Sequence, residues 1–427
     1  MPLKLIKIEP GKGWLILIAA AILCAILGWF FIKWNFANAL ASQLDRERPE
    51  SRLVADWLTR RAPGDPQIHF LAGALFEKTF DPADLRRSVL EYESAAALSP
   101  NNYVMWTNLA RARNLSGDEA GAEAAFRRAM ELAPSYASVQ WLYGNFLVRQ
   151  GNVDEGFGLV VKAAASNPQY AAPAVTTAFQ IFDGELDQIR QAMGDSDVTN
   201  AALAGVLASQ KRFDDSWASW SRLRDKAGSH KRLGETLVTQ LLGDKKFRLA
   251  ALIYSDIHAD DVLKPKLGEI SNGGFEDGVK LRNAGPFEWQ IGEGTEPQIG
   301  LSDGQRRSGR YGLFMLFNSF ETAAFRSVTQ IVPVEPGRSY EFEVFYRSDV
   351  KTTATLRWEI GDASTTGTIA GTQPLSQSAD WSAATARFTV PPDSDAVIIR
   401  LVRQGCSGPT CPANGRISFD DLSIRPL

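Results

Sequence analysis

Pro100, Pro134 and Pro168 stand 34 residues apart, and a repeat of that length leaves a chain few ways to fold. It is the length of one helix–turn–helix unit, which cannot hide its own apolar face and therefore stacks on copies of itself. The residues between the prolines recur as well. After Pro100 come Trp106, Leu109, Ala110, Gly117, Ala122, Phe126 and Ala129; after Pro134 come Tyr143, Gly144, Gly151, Gly156 and Ala163, with Trp141 one place out of step. Small residues fall where two helices cross closely and large ones where gaps need filling. A weaker copy runs from Pro66 through Leu75, Tyr92 and Ala95 to Pro100.

This pattern resembles the tetratricopeptide signature. The resemblance implies stacked helical hairpins over residues 45–265 whose concave groove binds a protein partner, as an extended peptide or a helix, and which perform no catalysis. The helical pattern continues past the clear repeats. AALAGVLASQKRFDDSWASWSRLRD reads as two helices joined near Lys211, and LGETLVTQLLGDKKFRLAALIYSDI as two more with a break at Gly243-Asp244. Five to six helix pairs are expected, the later ones degenerate. Trp106, Trp141, Trp217 and Trp220 are read as packing residues. A stalk that merely carries the next domain is the competing reading of the array.

At 427 residues the chain is too long for one core. A net charge of −3 supplies no basic field for a nucleic-acid partner. Three histidines and three cysteines do not assemble a zinc-type cluster.

Residues 14–32, WLILIAAAILCAILGWFFI, carry no charge. As a helix at about 1.5 Å per residue they reach roughly 28 Å, near the thickness of a bilayer's hydrocarbon core. Trp14, Trp29 and Trp34 stand at the ends, where indoles favour the interface. Lys4, Lys7 and Lys12 precede the run and only Lys33 closely follows it. The expectation is a cytoplasmic N-terminus (1–12), a transmembrane signal anchor (13–34) in the inner membrane, and domains exported to the periplasm or cell surface. Cleavage after Ala39-Leu40-Ala41 is the alternative, which the length of the apolar run disfavours. Cys406 and Cys411 bracket SGPT and are disulfide candidates in an oxidising compartment, such a short loop contributing about 2 kcal/mol; a reduced pair is the other reading.

After Lys266 the pattern changes. Tyr340, Phe342, Val344 and Tyr346 alternate with Glu341, Glu343, Phe345 and Arg347. Leu356, Trp358 and Ile360 alternate with Arg357 and Glu359, and Val397, Ile399 and Leu401 with Ile398, Arg400 and Val402. Period two between Gly, Asn, Asp and Pro punctuation predicts an antiparallel β-sandwich over 266–427. The fold class is therefore multidomain α + β: transmembrane helix, helical solenoid, β-sandwich.

ISNGGFEDG, SGRYGLFM, QIVPVEPGRSYEFEVFYRSD and ISFDDLSI stand in this order along that segment. Together they resemble a galactose-binding-like jelly roll of the carbohydrate-binding-module 4/9 type. The resemblance implies a structural calcium joining the first and last strands. Its carboxylate ligands correspond to Glu276 and Asp420, with Asp421 as an alternative and backbone carbonyls near Asn272 and Ser308 completing the shell; turn capping without metal is the competing reading. It also implies a core role for Trp289. Trp381 is read as anchoring a strand end.

Sugar recognition needs an aromatic platform and planar polar groups. Residues opposite the core-facing set supply candidates: Glu343, Phe345, Arg347, Arg357, Glu359, Arg400 and Gln404. A solvated sheet surface is the plainer reading of the same charges. The functional expectation is a non-enzymatic, membrane-anchored envelope protein. Its solenoid binds a protein partner and its sandwich binds glycan, in polysaccharide assembly, export or surface retention. The alternative is a purely structural scaffold of a membrane complex.

Overall fold

The structure is a computed structural model that describes residues 10–42, 51–261, 263–319, 325–405 and 411–427. It falls into two compact units, 1–198 and 199–427. The first holds α1 (Pro10–Ser42), α2 (Ser51–Arg61), α3 (Pro66–Glu77), α4 (Pro82–Leu98), α5 (Tyr103–Leu115), α6 (Glu119–Leu132), α7 (Ala137–Arg149), α8 (Val153–Ser166), α9 (Ala171–Ile181) and α10 (Leu186–Met193). α11 (Asp197–Ser209) begins at the division, and α12 (Phe213–Trp220), α13 (Lys231–Gly243) and α14 (Phe247–Ile257) follow in the second unit.

The 34-residue period is visible in the packing. Ala95, Ala129 and Ala163 occupy the same place in successive hairpins and are all fully buried. Gly144 and Gly156 lie one period after Ala110 and Ala122. A Cβ on Gly144 would stand 2.8 Å from the Gly156 carbonyl oxygen, so α7 and α8 meet backbone to backbone. The helices of the first two hairpins are started by a short polar side chain that takes up free helix amides: Asp65, Asp81, Asn102 and Asp118 accept N–H bonds from the first turns of α3, α4, α5 and α6. The apparent slip at Trp141 has a simple cause. Trp106 Nε1 donates to the Pro100 carbonyl at 2.9 Å, and the residue one period later that does the same is Gln140, whose Nε2 donates to Pro134 at 2.7 Å. Trp141 is free to stack on Tyr170 instead, with ring centroids 5.0 Å apart.

α1 is a 33-residue helix. Among the described residues no helix is long and apolar enough to cross a membrane. The side chains described on α1 are those of 13–29, a stretch of about 25 Å and so shorter than a hydrocarbon core of about 30 Å; the remainder of the expected span 13–34 lies outside them.

The second unit carries the sandwich. Its strands are β1 (Gln290–Ile291), β2 (Gln298–Ser302), β3 (Gly312–Ser319), β4 (Val328–Pro333), β5 (Ser339–Ser348), β6 (Lys351–Thr352), β7 (Thr355–Asp362), β8 (Thr368–Gly371), β9 (Ser378–Thr389), β10 (Ala396–Gln404) and β11 (Ala413–Pro426). One sheet runs β1-β4-β10-β7-β8 and the other β2-β3-β11-β5-β9, with β6 also paired to β11. Every pairing is antiparallel. The core-facing residues of both sheets meet around Trp358, whose ring is edge-on to Trp289 and Phe419. Trp289 takes the core place expected of it.

The change from helix to strand falls where composition changes, yet the compact units divide earlier, at 198/199. Phe287 and Ile331 of the β region share a core with Trp220, Leu237 and Tyr254 of the helices. The Asp395 carboxylate accepts the Phe247 and Arg248 amides at 3.2 and 3.1 Å, capping α14 from the sandwich. The α13–α14 hairpin thus packs as part of the sandwich's own unit.

Candidate functional site: a polar cavity on the six-stranded sheet

The residues singled out from the sequence divide between the two sheets. Glu343, Phe345 and Arg347 lie on β5, on the outer face of the six-stranded sheet, whereas Arg357, Glu359, Arg400 and Gln404 lie on β7 and β10 of the other. They do not form one groove. Alternation along a strand tells inward from outward; it does not tell which of two sheets a strand joins.

The second group is a closed network. Glu359 is only 2% exposed. Arg357 donates to its Oε1 at 2.6 Å, Gln404 to the same oxygen at 2.8 Å, and Arg400 to its Oε2 at 3.1 Å, with Thr368 at 3.3 Å. Burial alone would raise this carboxyl's pKa, but the hydrogen bonds and charges of Arg357 and Arg400 outweigh burial and lower it. With its acceptors occupied by both guanidiniums, an amide and a hydroxyl, the group holds β7, β8 and β10 together.

Of the first group, Arg347 borders a cavity of about 550 Å³. On β11, Arg416 and Ser418 line it beside Arg347 and Ser348 of β5, with Asp349, Gln305 and the 377–379 segment at its rim. Arg347 lies opposite Ser418 in the β5–β11 ladder. Its Nη2 donates to Gln305 Oε1 at 2.7 Å, and Ser418 Oγ reaches the same oxygen at 3.3 Å. The guanidinium sits 5.6 Å from the Trp381 ring centroid. Arg416 lies at the same distance from Phe314, and the backbone amide of Arg416 donates to Asp349 Oδ1 at 2.5 Å. Among the described residues neither Arg347 nor Arg416 is ion-paired with a carboxylate, while Glu341 and Glu343 on the same face are held by Arg387 and Arg425. Phe345 is covered by the Arg307 guanidinium, 3.6 Å from its centroid, so its ring does not present a bare platform.

Arg416, Ser418 and Gln305 of the cavity's lining went unread in the sequence, and Trp381 beside it was given another role. Trp381 was placed at a strand end as an anchor; it is half-buried within β9 and carries Arg347 on its ring. Arg416 was legible in principle, since it alternates with Ile417 and Phe419 in RISF. Gln305 comes from the loop between β2 and β3, which no strand pattern locates.

Glu276 and Asp420 are brought to one loop. Both oxygens of Glu276 accept the Arg310 amide at 2.9 Å, and Asp420 Oδ2 accepts the Arg307 and Ser308 amides at 2.7 and 3.1 Å. Asp420 Oδ1 accepts the Asp421 amide, and Asp421 itself takes Ser308 Oγ and the Arg307 guanidinium. The Asn272 carbonyl, expected in the calcium shell, accepts both the Phe275 amide and the Trp289 indole. Among the described residues no group of three His, Cys, Asp or Glu side chains is placed to hold a metal ion. The oxygen set is the kind calcium prefers, and its oxygens accept N–H and O–H donors that tie the 307–311 loop to the two ends of the sandwich. Burial raises the pKa of Asp420, and its backbone hydrogen bonds only partly offset that.

Cys411 is buried and disulfide-bonded, Cys24 is free, and Cys406 lies outside the described residues.

The chain thus joins helical hairpins that repeat every 34 residues to a two-sheet antiparallel β-sandwich. The helical part is similar in fold to MamA 41-end from Desulfovibrio magneticus RS-1, at 17% identity and TM-score 0.32, over 38% of this chain and 93% of that one. The sandwich is similar to a CBM4 structure, at 19% identity and TM-score 0.28, over 37% of this chain and 99% of that one. It is also similar to TmCBM61 in complex with β-1,4-galactotriose, at 13% identity and TM-score 0.27, over 36% and 96% of the two chains. At these identities and scores the likenesses concern fold and say nothing of ligand. No family model matches the sequence, and no curated protein matches it.

Proposed function

We propose that this chain is a non-enzymatic binding protein whose sandwich holds glycan on the outer face of its six-stranded sheet and whose helical repeats hold a protein partner. The observation that carries the reading is the 550 Å³ cavity there. Its size is that of a ligand site, and it brings together fixed polar groups, Gln305, Arg347 and Ser418, of the kind a sugar's hydroxyls require, with the Trp381 ring backing Arg347 beside it. For the repeats, the support is the line of aromatic pairs along their turns, Tyr103 with Tyr136 and Trp141 with Tyr170.

The proposal includes membrane anchoring through 13–34, with the N-terminus cytoplasmic and the following domains outside. Trp14, Leu15, Leu17, Leu27 and Trp29 are each more than half exposed on α1, a surface suited to lipid rather than water. Such a protein suits assembly, export or retention of a surface polysaccharide, since two binding modules on one anchor raise each other's effective ligand concentration.

The test is affinity electrophoresis of the full-length chain through gels containing a panel of neutral and acidic polysaccharides. The expected result is retardation by at least one polymer, lost in Trp381→Ala. Free migration through every polymer would overturn the glycan reading and leave a scaffold.

A further inference from the structure

The two outer faces of the sandwich treat their arginines in opposite ways. On the five-stranded sheet Arg357 and Arg400 are both consumed by the buried Glu359. On the six-stranded sheet Glu341 is paired with Arg387, Glu343 with Arg425 and Asp421 with Arg307, while Asp380 of β9 is exposed and outside the cavity's lining. Among the described residues of the six-stranded sheet, Arg347 and Arg416 are the arginines without a carboxylate partner. They line the same cavity without a carboxylate partner, in a chain whose net charge is −3. Protein surfaces commonly carry loose arginines, but these two are held. Gln305 fixes one Nη of Arg347, the Trp381 ring backs its guanidinium, and Phe314 backs that of Arg416. Such backing fixes the guanidinium plane and leaves N–H edges to bind a ligand.

Asp349 is the acidic group that lines the cavity with them, and one of its oxygens is already directed to the Arg416 backbone amide. It therefore acts on the β11 main chain, and the cavity retains a net positive charge from its two guanidiniums. A guanidinium's planar fork matches a carboxylate with two parallel N–H···O bonds. A neutral sugar offers no such group and would leave the cavity's surplus positive charge uncompensated as it displaces water, which is costly.

We infer that the glycan taken by this cavity is anionic, a polysaccharide bearing acidic groups on its rings. Arg347, backed by Trp381, and Arg416 receive an acidic group there. This inference rests on the cavity being the sugar site and specifies which sugar chemistry enters it.

The test runs the full-length chain through gels of polygalacturonate, alginate, dextran sulfate, and neutral galactan and xylan. The expected result is retardation by an acidic polymer, with apparent affinity falling at least tenfold in both Arg347→Gln and Arg416→Gln. Arg347→Lys, which keeps the charge and loses the fork, should also weaken binding. Arg387→Gln makes the same charge change outside the cavity and should migrate like wild type. Polygalacturonate and alginate against dextran sulfate distinguish a carboxylated from a sulfated ligand. Retardation by neutral polymers alone would overturn the inference and spare the glycan reading; free migration through every gel would overturn both. Retardation by every polyanion that neither cavity variant reduces would reveal general charge attraction and also overturn it.

Discussion

Replacing Glu359 separates a structural role from a binding one. Glu359→Ala removes the acceptor of two guanidiniums, an amide and a hydroxyl from a site where the carboxylate is 2% exposed. Breaking a fully buried ion pair costs about 3–5 kcal/mol, because the surviving charge is stranded. Here the survivors retain water, Arg357 being 35% and Arg400 24% exposed, so the cost falls to about 2–3 kcal/mol. For a unit of this size that lowers the melting temperature of the β-containing unit by roughly 5–10 °C. Glu359→Gln, which keeps an acceptor and loses the charge, should fall between. The assay pairs calorimetry with affinity electrophoresis. Melting should drop while retardation by glycan, measured well below the new midpoint, is unchanged.

The same residue sets an acid limb. Its carboxyl pKa is lowered on folding, against burial and by way of Arg357 and Arg400. Its stabilising contribution is therefore present above the ordinary carboxylate value of 4.5 and lost as pH falls through the folded value. Wild type should lose stability relative to Glu359→Ala on acidification below about pH 4.5. An unchanged melting temperature in Glu359→Ala, or lost retardation with melting preserved, would refute the assignment of this network to the fold.

Two further outcomes are expected. His69 is buried with Nδ1 2.6 Å from Glu91 and Nε2 3.1 Å from the Pro63 carbonyl, so a neutral ring can satisfy only one acceptor. The hydrogen bond to Glu91 leads in raising its pKa, with Asp65 beside α3 adding to it, and Arg87 and Asp56 complete the cluster. Its contribution is full below pH 6.5 and fades as pH rises through the folded value; thermal melts of the helical unit from about pH 6 to 9 should show that loss, and His69→Gln should abolish the slope. Because Glu276 and Asp420 hold the 307–311 loop through amides, an excess of chelator should leave the melting temperature of the sandwich unchanged; a drop that added calcium reverses would sink this account.

The fold was legible wherever a residue's local surroundings decide its place. Period 34 set the hairpins because each crossing needs a small residue, and Ala110, Ala122, Gly144 and Gly156 stand at successive crossings. Period two set the inward faces of β5 and β10. The site was less legible because it is assembled by sheet order, a non-local property. Arg347 meets Arg416 and Ser418 because β11, the last strand in sequence, inserts between β3 and β5; nothing near residue 347 or 416 records that. Nor does charge alone mark function. Arg357 and Arg400 read as well as Arg347 in the sequence, and what parts them is one residue, Glu359, whose outward position the pattern gave correctly but whose burial depends on the neighbours that cover it. A guanidinium becomes available to a ligand when the fold withholds a carboxylate from it. That is a relation between strands, which is why the cavity had to be found in three dimensions.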